Sequence, residues 1–443
     1  MSKVTSPSFT DTTDFDNASR GFIAALEPCI FRNHEDHVIW NNEEYDFLKV
    51  CGGWSQTLPR TPWKPTRHWI ALHAPAWRPF WWSRGVLQET SKKVTILAPK
   101  GFVEHAVGEN IFVGNAMARR AVYMYGNELK KGPEGQISTG LGSTISTGTT
   151  TLIPPTLEIT KTGQEEVVDG VRFIFQITPG TEAPSEMNFY IPERKALCMA
   201  ENATHNLHNI LTLRGAVVRD AQAWSSYLDE AIVLFAHDAD VSFASHQWPT
   251  WGREAITQYL SEQRDLYAYL HDQTVRMINQ GQTGIEIAES FVLPHTLQRA
   301  WHAQGYYGSI SHNVKAIYQR YMGWYDGNPA HLWEQPPAEE RRRYVFCMGG
   351  ADAVVRMAQT YVENGDLCFA ATLLSYVVFA DSKHDEAKGA LALVFEKLGY
   401  GAENGPWRNC YLTGADELRG KLYPVSFDTS NEGMTAALSL DQL

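Results

Sequence analysis

The sequence predicts a layered α/β domain up to about residue 250 and an all-helical region after it. The first half mixes short apolar runs of strand length with helical patterns. After Gly252 the apolar residues recur at helical spacing, and Gly and Pro residues separate the segments. A chain of 443 residues, of which 44% are hydrophobic, is long enough for two or three domains.

The predicted α/β domain follows a flexible tail at residues 1–20, which are rich in Ser, Thr and Asp. Residues 94–98 form an apolar run before a proline, as a buried strand would, and residues 101–130 have helical spacing. A loop rich in Gly, Ser and Thr occupies 132–151. Further strands are predicted at 151–160, 166–178, 187–191, 196–199 and 241–245, with a helix at 212–235.

In the second half the helical pattern recurs six times between residues 252 and 398. The predicted helices are 252–279, 284–303, 311–323, 338–364, 367–379 and 384–398. Residues 421–443 begin like a strand and then stop.

Charge and composition exclude several classes of protein. A net charge of −12 argues against nucleic acid as the main partner. No apolar run reaches the roughly 18 residues that a membrane span needs. Residues 1–15 have no apolar signal segment, and the six cysteines form no CxxC pair. We therefore expect a cytoplasmic protein without a disulfide framework.

Three acidic or imidazole side chains follow predicted strands. Glu182 lies in a Gly/Pro turn after 166–178, Glu201 follows 196–199, and His246 follows 241–245. Carboxylates and imidazoles at strand ends suit a zinc site. Glu201 is also close in sequence to His205 and His208, although a helix N-terminus with solvated histidines would have the same composition. A solvated loop glutamate and a structural histidine are the alternatives for Glu182 and His246.

Arg214 and Arg219 follow this cluster, five residues apart. The planar guanidinium fork keeps its charge and matches the geometry of oxyanions such as sulfate. As ordinary surface arginines, these two residues would carry no functional meaning.

Several long segments together resemble the alkylsulfatase family, which hydrolyses detergents of the dodecyl sulfate type. The likeness covers about residues 14–48 and 84–430. The segments that carry it are 114–120 (GNAMARR), 123–126 (YMYG), 178–190 (TPGTEAPSEMNFY), 196–208 (ALCMAENATHNLH), 213–216 (LRGA), 244–252 (ASHQWPTWG) and 305–309 (GYYGS).

The resemblance implies a metallo-β-lactamase-like αββα catalytic domain at 21–250, a helical dimerisation domain at 251–420 and the start of a sterol-carrier-like domain at 421–443. It also implies a homodimer with two Zn²⁺ ions per site. Glu182, Glu201 and His246 match metal ligands, and Glu201 matches the bridging one. Arg214 and Arg219 match residues that contact the sulfate of an alkyl sulfate substrate. Asn209 and Tyr307 are further candidates for that contact, and the general acid stays unassigned.

The chain departs from the family at the remaining zinc ligands. The family supplies them from a Thr-His-x-His-x-Asp-His-Phe-Gly-Gly motif, which this sequence lacks. At the expected place, residues 73–82 read HAPAWRPFWW. Codons for this peptide, shifted by one base, permit the family motif. Six of the 14 tryptophans lie in 54–82, and the only acids in 45–89 are Asp46 and Glu89.

We therefore expect that residues 54–82 are translated out of frame and that the first strands of the sandwich are missing. A chain with only three ligands would have weak sulfatase activity or none. A Trp-rich segment for membranes or sugars is the alternative for 54–82. For the whole chain, a non-catalytic helical interaction protein and a hydrolase with another substrate remain open.

Overall fold

The computed structural model describes residues 95–142, 152–168 and 170–421, together with the backbone of four short strands nearer the N-terminus. Three of these strands lie in a unit spanning Met1–Leu58. They are β1 (Ile30–Arg32), β2 (Val38–Trp40) and β3 (Glu43–Glu44), and they form an antiparallel meander. All other elements belong to a second unit, Pro59–Leu443.

The second unit begins with a small parallel sheet of β4 (Ile70–Leu72), β5 (Thr95–Pro99) and β6 (Leu157–Ile159). All but the first residue of β5 are buried, which confirms the apolar strand predicted there. The helical pattern at 101–130 forms two helices, α1 (Phe102–Phe112) and α2 (Gly114–Tyr125).

A six-stranded sheet carries the rest of the α/β domain, and its strand order is β12-β11-β10-β9-β8-β7. Only the β10–β11 pair is parallel. Because parallel strands end at the same edge, the segments after β10 and β11 begin side by side. The strands are β7 (Glu165–Val168), β8 (Val171–Ile177), β9 (Met187–Ile191), β10 (Ala196–Cys198), β11 (Val241–Phe243) and β12 (Thr250–Trp251).

The predicted helix at 212–235 is wrong at its start. Asp220 caps the N-terminus of helix α3 (Ala221–Ala231), because its carboxylate accepts hydrogen bonds from the backbone N–H groups of residues 222 and 223. A π-helical turn, Ile232–Ala236, continues it. Gly215 adopts a φ of 112° in the preceding segment, which a helix does not permit. Residues 212–219 are therefore a loop, and this loop carries both candidate arginines.

The second half is helical, as predicted, but two predicted segments are divided. Segment 284–303 is interrupted before Pro294, which caps the next helix, and 338–364 is interrupted at Gly349 and Gly350. The final helix was not predicted. The helices are α4 (Arg253–Asn279), α5 (Gly284–Ser290), α6 (His295–Arg299), α7 (Ile310–Met322), α8 (Pro337–Cys347), α9 (Ala351–Glu363), α10 (Leu367–Ala380), α11 (Asp385–Gly401) and α12 (Gly405–Leu418).

Two larger hydrophobic cores and a smaller one around Phe102 lie among the described residues of this unit. In the first, α3 and α4 pack against the sheet around the stacked rings of Trp224 and Tyr267, both fully buried. The second core packs the four helices α8, α9, α10 and α11 together through residues such as Val354, Leu374 and Leu391. Among the described residues, no helix has the length and apolar character to cross a membrane.

The predicted order of an α/β domain followed by helices is confirmed. The exact domain limits stay predictions. The tail at 1–20 and, apart from Lys421, the remnant at 421–443 lie outside the described residues. Residues 54–82, which the frame hypothesis concerns, also lie outside the described residues, apart from the backbone of β4.

Candidate active site

The site is built at the edge where the parallel strands β10 and β11 end. Glu201 follows β10 and His246 follows β11, and Nε2 of His246 lies 2.8 Å from Oε1 of Glu201. Each residue adjoins a strained backbone position, because Ala200 and Gln247 adopt φ values of 49° and 67°. Left-handed backbone at non-glycine residues is costly and is concentrated at functional sites.

Two further side chains complete the cluster. Nε2 of His208 lies 3.3 Å from Oε2 of Glu201, so both oxygens of this carboxylate meet an imidazole. Glu182 approaches from the loop after β8. One ligand atom from each of Glu182, Glu201 and His208 lies within 4.8 Å of the others, and all three residues are buried. Two carboxylates and one imidazole are donors that zinc accepts.

The guanidinium of Arg219 joins Glu182 to Asn209. Its Nη2 donates to the Glu182 carboxylate, its Nε donates to the Glu182 carbonyl, and its Nη1 donates to the side chain of Asn209. Nη1 also lies 3.0 Å from the Asn209 carbonyl oxygen. Arg219 is only 7% exposed. A buried charge needs such partners, so this arginine is part of the site rather than of the surface.

Arg214 is buried as well, with 3% of its surface exposed. Its Nη1 lies 3.1 Å from the sulfur of Met117 on α2. The alternative that the two arginines are ordinary surface residues is therefore excluded.

The segment that carries Tyr307 is clamped onto the loop after β10. The Gly308 amide donates to the Leu207 carbonyl at 2.7 Å, and the Leu207 amide donates to the Gln304 carbonyl at 2.8 Å. A Cβ on Gly308 would lie 2.8 Å from the backbone carbonyl carbon of His208, so only glycine fits this approach. The Tyr307 ring consequently lies 4.8 Å from the His208 ring, measured between centroids.

Charges in the site shift the pKa values of its carboxyl groups in opposite directions. Burial raises the pKa of Glu201, but His246 and His208 outweigh this effect and hold that pKa well below its usual range. Burial and the nearby Glu182 raise the pKa of Glu186 well above its ordinary value. Oε2 of Glu186 has no hydrogen-bond partner among the described residues. The site thus contains an ionised carboxylate beside a carboxyl group that favours its protonated form.

The structure brings Glu182 and Glu201 together with Asn209, Arg219 and Tyr307, and His246 contacts Glu201. His205, from the same sequence cluster, does not join them. Its ring stacks between Trp248 and Tyr259, and burial lowers its pKa to about 4. It therefore has a structural role.

Sequence reasoning missed Glu186 and did not select His208 as a ligand. Glu186 could have been found from its position, since it follows Glu182 by four residues within the same turn. The contact of Met117 with Arg214 had no signal in the sequence, because the two residues are 97 positions apart.

Comparisons with known proteins agree on one family. A family model described as alkyl sulfatase dimerisation matches residues 283–421. A linear primary-alkylsulfatase from a Pseudomonas species is 50% identical over 81% of this chain and 54% of its own length. A second Pseudomonas linear primary-alkylsulfatase is 36% identical over 80% of this chain and 67% of its own length.

A solved structure points the same way. The stereoselective inverting sec-alkylsulfatase Pisa1 from a Pseudomonas species has a TM-score of 0.82 and 42% identity. The match covers 86% of this chain and 61% of that chain. This chain spans only about half the length of the first relative that it matches.

Proposed function

Since the chain belongs to the alkylsulfatase family, we propose that it hydrolyses alkyl sulfate esters to an alcohol and sulfate in a zinc-dependent reaction. Dodecyl sulfate is the type of substrate that we expect. The observation that carries the proposal is the convergence of Glu182, Glu201 and the imidazoles of His208 and His246 beside Arg219.

The metal would be held by Glu182, Glu201 and His246, and His208 is a further ligand candidate. When bound, zinc supplies Lewis acidity and lowers the pKa of a coordinated water. Glu201 suits this role because its two neighbouring histidines favour its ionised form. The left-handed residues Ala200 and Gln247 directly adjoin Glu201 and His246, and strain of this kind is concentrated at functional sites.

The sulfate group would be held by the arginines. A guanidinium has five donors in one plane, so Arg219 can keep its contact with Glu182 and present other donors to an oxyanion. Asn209 and Tyr307 lie beside Arg219, and together with the buried Arg214 they are the remaining candidates. Positioned cations of this kind stabilise the negative charge that develops on ester oxygens.

We also propose that the chain as given is impaired. The family motif that supplies the remaining ligands does not occur in its sequence. The cluster of Glu182, Glu201, His208 and His246 is too small for two tight zinc sites.

The test measures sulfate release from dodecyl sulfate in the presence of zinc. It compares the chain as given with a chain in which 54–82 is read in the neighbouring frame. We expect weak or no release from the first and clear release from the second.

A second arm introduces Arg214→Lys into the repaired chain, with Arg276→Lys as a surface control. Loss of sulfate release only in Arg214→Lys supports the proposal, whereas an unchanged rate would mean that Arg214 does not hold the sulfate group. No release from either chain favours a non-catalytic interaction protein.

Dimerisation is a second proposal, supported by the family model that matches residues 283–421. Large apolar side chains in that segment are exposed, and Trp324, Trp333 and Phe346 have 73%, 89% and 83% of their surface accessible. Exposed aromatic groups of this size are typical of protein interfaces. Light scattering should give the mass of a homodimer, and a monomeric mass at micromolar concentration would contradict this proposal.

A further inference from the structure

A cavity of about 770 Å³ lies between α2, α7, α12 and the loop at 211–213. Its wall is mainly apolar, with Leu211, Leu213, Ala316 and Trp407 among the lining residues. The volume falls within the range of roughly 300–1,000 Å³ that is usual for sites of small organic ligands. None of the residues that we assign to zinc or sulfate lines this cavity.

Three cations line the same cavity, and none of its described lining residues is an Asp or a Glu. They are Arg119 and Arg120 on α2 and Lys315 on α7. In a chain with a net charge of −12, this local excess of positive charge is unusual. Within the part of the chain that the structure describes, neither arginine forms an ion pair with another residue. Nζ of Lys315 donates to Ser311 at 3.0 Å, which leaves its charge without a counter-ion in that contact.

The polar groups at the back of the cavity are already satisfied. Nε2 of His312 donates to the carbonyl of Leu211, and Nδ1 of His312 accepts from the indole N–H of Trp407 at 3.3 Å. These two bonds fix the neutral imidazole with its proton on Nε2. A ligand therefore meets an apolar back wall and finds unpaired positive charge among the other lining residues.

We propose that this cavity binds a single-chain amphiphilic anion. The alkyl tail lies against Leu211, Leu213 and Trp407, and the anionic head group contacts Arg119, Arg120 and Lys315. Burial of the tail supplies the affinity and the cations select the charge. Alkyl sulfates and fatty carboxylates share this chemistry. This goes beyond the proposed hydrolysis, because no group in the cavity is placed to cleave an ester.

The probes are decanesulfonate, whose carbon–sulfur bond is not an ester, and decanoate. Both are titrated calorimetrically into the full chain below their micelle-forming concentrations. The double variant Arg119→Glu/Lys315→Glu reverses two charges at the cavity. Arg276→Glu/Lys383→Glu makes the same change in net charge on exposed surface elsewhere and is the matched control.

We expect the cavity variant to lose one molar equivalent of decanesulfonate binding, or to bind it at least about tenfold more weakly. The control should bind like the parent chain. Affinity should rise about fourfold for each methylene added to the probe, which corresponds to burial of the chain. Equal loss for both probes supports a general site for alkyl anions, and loss for decanesulfonate alone supports one that selects alkyl sulfates.

Three outcomes would overturn the proposal. The first is unchanged binding in the cavity variant, and the second is an affinity that does not depend on chain length. The third is a change of oligomeric mass in the cavity variant with ligand binding intact, which would identify the cavity as an interface between copies of the chain.

Discussion

Nε2 of His246 lies 2.8 Å from Oε1 of Glu201, although the two residues are 45 positions apart. The parallel pairing of β10 with β11 produces this contact, since Cys198 is level with Phe243 and both strands end at one edge. The other oxygen of Glu201 meets His208. One carboxylate is thus held between two imidazoles, and all three groups are ligands that a divalent cation can bind.

The buried pair of Arg219 and Glu182 should be important for stability. Replacing Arg219 with Gln removes a cation and leaves the Glu182 carboxylate buried without its charged partner. Breaking one side of a buried ion pair costs about 3–5 kcal/mol. We expect a loss of this size in the free energy of unfolding, measured by urea denaturation.

Arg172→Gln is the matched control for that experiment. Arg172 also contacts glutamates, but 42% of its side chain is exposed. Exposed pairs contribute only about 0–1 kcal/mol. Equal losses in the two variants would show that the contacts of Arg219 have no special role.

Glu186 should make stability depend on pH. Its pKa in the folded protein is raised by burial and by Glu182, so the folded chain binds a proton that the unfolded chain releases. This contribution is present below the unfolded pKa of about 4.5 and is lost as the pH rises towards the folded pKa. The free energy of unfolding can fall by as much as about 1.4 kcal/mol per pH unit in this range.

Glu186→Gln should remove this decline. The variant should be more stable than the parent at neutral pH, and its free energy of unfolding should vary less between pH 4.5 and pH 8. Urea denaturation at several pH values measures both quantities. Parallel curves for the two proteins would mean that Glu186 titrates normally.

Gly308 should be intolerant of any side chain. In Gly308→Ala the new methyl group would meet the His208 backbone at 2.8 Å and push the Tyr307 segment away from the site. We expect a loss of roughly 1–3 kcal/mol in unfolding free energy and weaker substrate binding in a repaired, active chain. Denaturation and the KM for dodecyl sulfate report the two effects separately.

The control for that variant is Gly389→Ala. Gly389 lies inside α11, and no atom lies within 4 Å of the Cβ that alanine would add. Alanine is favoured over glycine in a helix by about 0.5–1 kcal/mol, so this variant should be neutral or slightly more stable. A similar loss in both variants would argue against the close approach at Gly308.

The sequence was sufficient to place Glu201 and His246 at strand ends, because each follows a short apolar run and such runs can be recognised from the local hydrophobic pattern. It was not sufficient for the arginines. Apolar residues continue through the loop before Asp220, so helical spacing extended the predicted helix over Arg214 and Arg219. The cap at Asp220 and the positive φ of Gly215 decide the boundary instead.

Contacts between distant segments were beyond local reasoning. The hydrogen bond from the Gly308 amide to the Leu207 carbonyl, at 2.7 Å, depends on how the helical region packs against the sheet. The hydrogen bonds of Asn313 to Ile210 and His208 depend on the same packing. Tyr307 entered the predicted site through family resemblance, because nothing near it in sequence indicates that it meets His208.

Zinc content is the most direct test of the central claim, which is that Glu182, Glu201 and His246 form a metal site. The zinc bound to the purified chain is measured by elemental mass spectrometry after dialysis, beside Glu201→Gln and the exposed control Glu193→Gln. We predict one zinc ion per chain in the parent and in Glu193→Gln, and background zinc in Glu201→Gln. Two zinc ions in the parent, or undiminished zinc in Glu201→Gln, would contradict the account.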